Sequence, residues 1–350
     1  MILLEKHIIS KTASIREALQ QLSDVNGPHV TLFVIDEDQK VLGSVTDGDI
    51  RRAIISKGLD LSSKVDQTMN PNFKHIIKGE YDFEFFQKLQ KSDVYMLPVL
   101  DEKGRISRII DFLEKKTILP IDAVIIAGGR GQRLMPLTEN TPKPLLKVGD
   151  KPIIEYNVDR LMTYGVENIH ITVNYLGEQL EQHFGAKQYE SSRVSIVWEN
   201  QPLGTIGSVS LVEGFDHDTV LVMNSDLLTN IDYEDFYRDF MEKSADLAVA
   251  SIPYKVDIPY AVMETADHKV LSLKEKPTYT YYSNAGIYLI KKKLIEKIPT
   301  NKFYNATDLL ELAIEQKLNV VTYPIHAYWL DIGKHEDFKK AQEDVKHIRF

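Results

Sequence analysis

The sequence predicts two architectures in series. An α+β repeat occupies residues 1–118, with halves of about 1–65 and 66–118. An α/β domain with a doubly wound, mostly parallel sheet occupies residues 119–350. Three observations predict this. After residue 121, short apolar runs alternate with helix-like segments, as buried parallel strands and crossover helices do. Before that point one pattern occurs twice at an offset of 65 residues, from Phe33 to Pro98. Between the two regions, Thr117-Ile118-Leu119-Pro120-Ile121-Asp122 places a proline where a helix would have to continue.

The repeated unit reads helix, strand, polar turn, strand, helix. Phe33–Val45 is the first strand–turn–strand and Pro98–Ile110 the second. Ser14 and Glu17 have capping-box spacing ahead of Ala18-Leu19-Gln20-Gln21-Leu22. The matching helix of the second copy is expected near Tyr81 to Leu89. A closing helix is expected in each copy, near Asp47–Ser56 and Asp111–Lys116.

In the α/β part, Ala123-Val124-Ile125-Ile126-Ala127 is an apolar run ending at glycine, the form of a buried strand. Further strands are expected at Ile169–Val173, Val194–Val197, Val220–Met223 and Leu247–Ala250. Helices are expected at Ile153–Tyr164 and Tyr233–Lys243. Ligands of such sheets sit beyond the carboxyl ends of the strands.

Composition narrows the function classes. The chain has no cysteine, which removes thiol nucleophiles, zinc–thiolate sites and disulfides. The net charge is −9 and no basic tract stands out, so nucleic acid is not an expected partner. No apolar run is long enough for a membrane span, and Met1–His7 lacks a leader pattern, so a cytoplasmic protein is expected.

The chemistry starts after the first α/β strand, at Ala127-Gly128-Gly129-Arg130-Gly131-Gln132-Arg133. Gly128, Gly129 and Gly131 let a ligand approach backbone N–H groups, which suits phosphate. Arg133 adds a forked donor. A P-loop would need Gly-Lys-Ser/Thr, and a dinucleotide fingerprint would need a last glycine where Leu134 stands. Lys143 follows between two prolines, so its ammonium is on a stiffened segment.

From Ala127 through Thr141-Pro142-Lys143-Pro144-Leu145-Leu146 and Lys151-Pro152-Ile153-Ile154-Glu155-Tyr156, the run resembles the N-terminal signature of sugar-1-phosphate nucleotidyltransferases, in particular mannose-1-phosphate guanylyltransferases. Further matches arrive in the family's order. Glu199-Asn200-Gln201-Pro202-Leu203-Gly204-Thr205 is similar to the base-binding segment. Val222-Met223-Asn224-Ser225-Asp226 resembles the strand ending in a metal-binding aspartate. Leu273-Lys274-Glu275-Lys276-Pro277, Asn284-Ala285-Gly286-Ile287-Tyr288 and Trp329-Leu330-Asp331-Ile332-Gly333 complete the set.

The resemblance implies a Rossmann-like fold and a Mg²⁺-dependent transfer of a nucleotidyl group to a sugar-1-phosphate. It implies Arg133, Lys143, Asp226 and Lys276 in catalysis, with Asp226 and Asp331 on the metal. It implies Ala127, Gly128, Gly129, Gly131, Glu199, Gly204 and Thr205 at the nucleotide, and Glu275, Asn284 and Ala261 at the sugar. A carboxylate at Glu199 suits the N1–H and N2–H₂ donors of guanine, which favours GTP. A uridylyl- or cytidylyltransferase is the alternative, and a hexose or amino-sugar phosphate of a surface-glycan pathway is the implied acceptor. Three positions depart from the family pattern: Gln132 for Thr, Ala261 for Gly and Lys334 for Thr.

The N-terminal repeat resembles a tandem pair of CBS modules. Gly43-Ser44-Val45-Thr46-Asp47-Gly48-Asp49-Ile50-Arg51 is its most specific piece, and the resemblance implies an adenine nucleotide held at Thr46 and Asp49. The plain alternative is that Thr46 caps a helix with Asp49 in its first turn. In the second copy Asp111 and Glu114 fall at these places, and a carboxylate there repels phosphate. The pair also implies a regulatory role and a homo-oligomer. A nucleotide sensor on a non-catalytic transferase scaffold is the competing reading.

Overall fold

The computed structural model of the chain describes residues 4–348 and 350, apart from 26–29, 79–82, 91, 93, 114, 188, 190 and 191. It divides into two compact units, Met1–Ile118 and Leu119–Phe350. Among the described residues no helix is long and apolar enough to cross a membrane.

The first unit contains two three-stranded sheets of one design. Ile8–Ser10 runs parallel to Leu32–Ile35, which runs antiparallel to Val41–Val45. Ile76–Ile77, Met96–Leu100 and Ile106–Asp111 repeat that order and those directions. The copies agree atom by atom in the turn. Asp36 Oδ1 accepts the amides of Asp38 and Lys40, at 3.0 and 2.9 Å. Asp101 Oδ1, 65 residues on (36 to 101), accepts those of Lys103 and Arg105, both at 2.9 Å. A bulge follows the same register, at Val34/Ile35 and at Val99/Leu100. Ser14 and Glu17 form the expected capping box on the helix Ile15–Asp24.

The closing helices differ between copies. Asp47–Lys57 is a full helix, capped by Thr46 and ended by Gly58 in the left-handed region. The helix expected near Asp111–Lys116 is not formed among the described residues. Asp111 Oδ1 takes the Leu113 amide at 2.8 Å, and a single turn closes from the Lys115 amide to the Asp111 carbonyl at 2.9 Å. The next strand starts at Asp122. Glu114 and Tyr81 lie outside the described residues; the preceding helix spans Phe83–Gln90.

The second unit is built on a seven-stranded sheet. Its strands, in spatial order, are Arg193–Trp198, Asn168–Val173, Asp122–Ile126, Thr219–Asn224, Thr278–Lys291, Leu247–Asp257 and Val320–Pro324. The first four run parallel, the long strand Thr278–Lys291 is antiparallel to both neighbours, and Leu247–Asp257 pairs parallel with Val320–Pro324. Val124, Val220, Val222, Leu247 and Ile290 carry the core of this sheet, packed against Leu309 and Ala313 of the helix Ala306–Glu315. The α/β class is therefore observed, with helices Ile153–Thr163 and Tyr233–Glu242 near their expected bounds.

The candidate nucleotidyl-transfer site

All four parallel strands end on the same side, and the chain after three of them supplies the site. The loop from Ala127 leaves Asp122–Ile126, Glu199 leaves Arg193–Trp198, and Ser225-Asp226 leaves Thr219–Asn224. A cleft of about 580 Å³ lies there, lined among others by Ala127, Gly129, Gly131, Arg133, Lys143, Gly204, Thr205 and Asp226.

The loop needs its glycine at position 131. Gly131 has φ of +61°, and a Cβ would come within 3.0 Å of both Lys143 Cβ and Thr138 Cγ2. The Thr138 hydroxyl donates to the Gly131 carbonyl at 2.9 Å, locking the turn. The short helical turn Gln132–Leu134 that follows carries Arg133, whose guanidinium lies over Gly333, with Nη2 3.3 Å from where a Cβ would stand.

Two aspartates from distant parts of the chain meet beside it. Leu227–Thr229 pairs antiparallel with Trp329–Asp331, with Leu227 opposite Asp331. The Ile332 amide then donates to the Asp226 carbonyl at 3.0 Å. Asn157, fully buried, donates to the carbonyls of Leu227 at 2.9 Å and Ser225 at 3.4 Å, bracketing Asp226 from behind. Lys143 is itself nearly buried, and its ammonium pairs with Asp226 Oδ2. Burial and the charge of Asp226 push the Asp331 carboxyl above the usual aspartate range, while Lys143 and Arg133 pull the other way. Asp331 Oδ1 is buried without a hydrogen-bond partner.

That arrangement fits a hard divalent cation. Two adjoining carboxylates, one with an unsatisfied buried oxygen, offer the anionic oxygens Mg²⁺ prefers and leave the remaining positions to phosphate and water. Among the described residues no group of three His, Cys, Asp or Glu is assembled for a metal, so the protein offers a two-carboxylate site.

Glu199 sits differently from the cleft-lining residues. Its Oε1 is 2.6 Å from where a Cβ of Gly128 would be, so the carboxyl is pressed against the glycine loop. Burial pushes its pKa up, partly offset by hydrogen bonds from the Leu203 amide and the Ser208 and Thr172 hydroxyls. Thr205 lines the cleft, and its hydroxyl accepts the Ala306 amide at 2.9 Å.

The sugar-side residues are not gathered into this cleft. Ala261, Glu275 and Lys276 are exposed, and Lys276 has φ of +43°. Asn284 uses its amide internally, donating to Tyr288 Oη at 2.8 Å and accepting the Gly286 amide at 2.9 Å. Sequence reasoning passed over Arg130, Asn224, Ser225 and Gly333, all of which line the cleft. Asn224 and Ser225 immediately precede Asp226, and adjacency to a strand end was the signal available for them.

In the first unit, Thr46 and Asp49 form a capping box. Asp49 Oδ2 accepts the Thr46 amide at 2.9 Å and its hydroxyl at 2.7 Å. The Arg52 guanidinium pairs with Asp49 Oδ1 at 2.6 Å. Both residues also line a cavity of about 770 Å³ that includes Arg51, Lys74, Phe73 and Tyr95.

Comparison with known proteins gives the family. The nucleotidyl transferase family model matches residues 122–347, and the CBS domain model matches residues 6–56. A D-glycero-α-D-manno-heptose 1-phosphate guanylyltransferase of Aneurinibacillus thermoaerophilus is 29% identical over 65% of this chain and 99% of its own length. A mannose-1-phosphate guanylyltransferase of Mycobacterium tuberculosis is 28% identical over 64% of each chain, so this chain spans just under two thirds of that relative. A provisionally named glucose-1-phosphate thymidylyltransferase structure from Bacillus anthracis shares the fold, with a TM-score of 0.52, 23% identity and coverage of 66% of this chain and 97% of its own. With its family match covering the whole second unit but for a few terminal residues, and with an N-terminal CBS match, this chain belongs to the nucleotidyl transferase family.

Proposed function

We propose that the chain transfers GMP from GTP to a hexose or amino-sugar 1-phosphate, giving a nucleoside diphosphate sugar and pyrophosphate. A phosphate oxygen of the sugar phosphate forms the new bond to the α-phosphorus, and the bond to the β-phosphate bridge oxygen breaks. The attacking group is already an anion, so no base is required. Catalysis is positioning plus charge neutralisation.

The observation that carries this reading is the convergence of Asp226, Asp331 and Lys143, with Asp331 Oδ1 buried and unpaired. Asp226 and Asp331 would hold Mg²⁺, which when bound neutralises the phosphates and orients them. Arg133 and Lys143 steady the triphosphate. Gly128, Gly129 and Gly131 present backbone amides to it; Ala127, whose own amide donates to the Thr172 carbonyl, lines the nucleotide side of the cleft, and Gly204 and Thr205 border the base. Glu199, held against the loop, accepts from the guanine edge. Glu275, Ala261 and Asn284 receive the sugar, with Lys276 on its phosphate.

Residues 1–118 act in this reading as a tandem CBS module that binds an adenine nucleotide at Thr46 and Asp49 and tunes the transferase in the cytoplasm. The turn geometry repeated at Asp36 and Asp101 supports the second copy.

Purified protein with Mg²⁺ and each of the four NTPs, tested against a panel of sugar-1-phosphates, should release pyrophosphate fastest with GTP. Fastest release with UTP or CTP moves the base assignment, a concern raised by the 27%-identical UTP–glucose-1-phosphate uridylyltransferase of Synechocystis. No release with any pair refutes the transferase reading.

A further inference from the structure

Arg130, Arg133 and Lys143 all line the cleft, and each is held differently. Lys143 is paired with Asp226, and the Arg133 guanidinium lies over Gly333. Arg130 is exposed, and among the described residues no carboxylate pairs with it. Its guanidinium lies instead over the ring of Tyr175, 5.8 Å from the centroid. That ring is itself anchored. The Tyr175 hydroxyl donates to the Glu139 carbonyl at 3.0 Å and the Thr138 carbonyl at 3.2 Å. A guanidinium stacked on a ring uses its face and leaves its N–H edge for another partner. On a chain of net charge −9, an exposed arginine held this way is set to take an anion.

Room for the anion lies beside it. A Cβ at Gly129 would meet nothing within 4 Å. One at Gly128 would come within 2.6 Å of Glu199, and one at Gly131 within 3.0 Å of Lys143 and Thr138. The loop is packed on both sides of an open face at Gly129, the residue next to Arg130, and that face lines the cleft.

Strand order says which phosphate belongs there. Tyr175 follows Asn168–Val173, the glycine loop follows Asp122–Ile126, and Asp226 follows Thr219–Asn224; Asn284 lies on Thr278–Lys291. These four strands are successive neighbours in the sheet. Under the transferase reading, on which this inference rests, the acceptor arrives from the Asn284 side. Displacement at phosphorus is in line, so the breaking bond points the other way, past the two aspartates toward Tyr175.

We propose that Arg130, held on Tyr175, binds the β- and γ-phosphates of the triphosphate and the pyrophosphate that leaves. An oxygen of the sugar phosphate bonds to the α-phosphorus, and the electron pair of the breaking bond passes to the bridge oxygen of the departing pyrophosphate. Arg130 neutralises the charge that gathers there. Tyr175 touches no reacting atom and is a positioning residue.

Two readouts test this on the full chain. Calorimetry with inorganic pyrophosphate and Mg²⁺ should show binding that Arg130→Gln weakens about tenfold, the loss of one charge-assisted hydrogen bond. Arg130→Lys should restore part of it, and Tyr175→Leu should weaken it about threefold by freeing the guanidinium. In steady-state turnover, Arg130→Gln should raise the KM for GTP and the inhibition constant of pyrophosphate together, with the KM for the sugar phosphate unchanged. Unchanged circular dichroism and Tm establish that the variants are folded. Equal pyrophosphate binding by wild type and Arg130→Gln overturns the proposal, as does no binding by wild type. A rise in the sugar-phosphate KM alone also overturns it, because it puts Arg130 on the acceptor. Wild type that binds pyrophosphate through Arg130 but turns over no substrate pair refutes the transferase reading and leaves the pyrophosphate contact standing.

Discussion

Lys143 shows what a single residue gains from its surroundings. On sequence a lysine is a solvated charge; here prolines on both sides and the Gly131 contact hold it nearly buried against Asp226. Asp226 is in turn fixed from behind by Asn157 and through its carbonyl by Ile332. Asp226→Asn keeps the shape, so the fold should persist by circular dichroism. It removes the anion that pairs with Lys143 and would bind the metal. Pyrophosphate release should fall on the order of 10³-fold or more, and near-wild-type release would refute the role assigned to Asp226. Arg133, the glycine loop and both aspartates were legible because their chemical types stand in a recognisable order. Arg130, Asn224, Ser225 and Gly333 were not, because their types say nothing until neighbours are placed around them.

At the scale of elements, the first strand of the large sheet is anchored at its far end by Asp122. This carboxylate is fully buried. It accepts from Asn168 Nδ2 at 2.9 Å, the His217 amide at 2.8 Å and His217 Nδ1 at 3.2 Å. Burial alone would raise its pKa, but the hydrogen bonds from His217 and Asn168 outweigh burial and hold it below the usual range. A depressed carboxylate stabilises the fold above its unfolded value of about 3.9, and that contribution fades as pH falls through the lower folded value. Asp122→Asn should therefore cost about 2 kcal/mol at pH 7, read as a lower Tm, and the gap to wild type should shrink as pH drops below about 4. A gap that stays constant with pH would contradict this. Strand periods and the β–α alternation were legible along the chain. The missing helix after Asp111 was not: it was expected by analogy with the first copy, and an Asx turn of Asp111 onto the Leu113 amide forms there instead.

For the whole molecule, two units each carry a cavity lined by cationic side chains, one with Arg51, Arg52 and Lys74 and the other with Arg130, Arg133 and Lys143. The full chain should bind AMP, ADP or ATP with measurable heat in calorimetry. Thr46→Val, which removes a hydroxyl and helix cap but no charge, should weaken that binding about tenfold, the worth of one hydrogen bond of about 1.4 kcal/mol. Pyrophosphate release at the other unit should survive. Absence of heat with all three nucleotides would leave Thr46 and Asp49 as a cap alone.

The sequence by itself determined the α/β class, the internal repeat and the chemical inventory of the candidate site, because periodicity, turn residues and motif order are properties of neighbours along the chain. Tertiary structure decided what those residues face. Only the pairing of Leu227–Thr229 with Trp329–Asp331 brings two aspartates more than a hundred residues apart to one place. Only packing leaves one oxygen of Asp331 without a partner, presses Glu199 against Gly128 and turns Asn284 onto Tyr288. Burial and pairing depend on distances through space, and those arise when the chain closes its sheets.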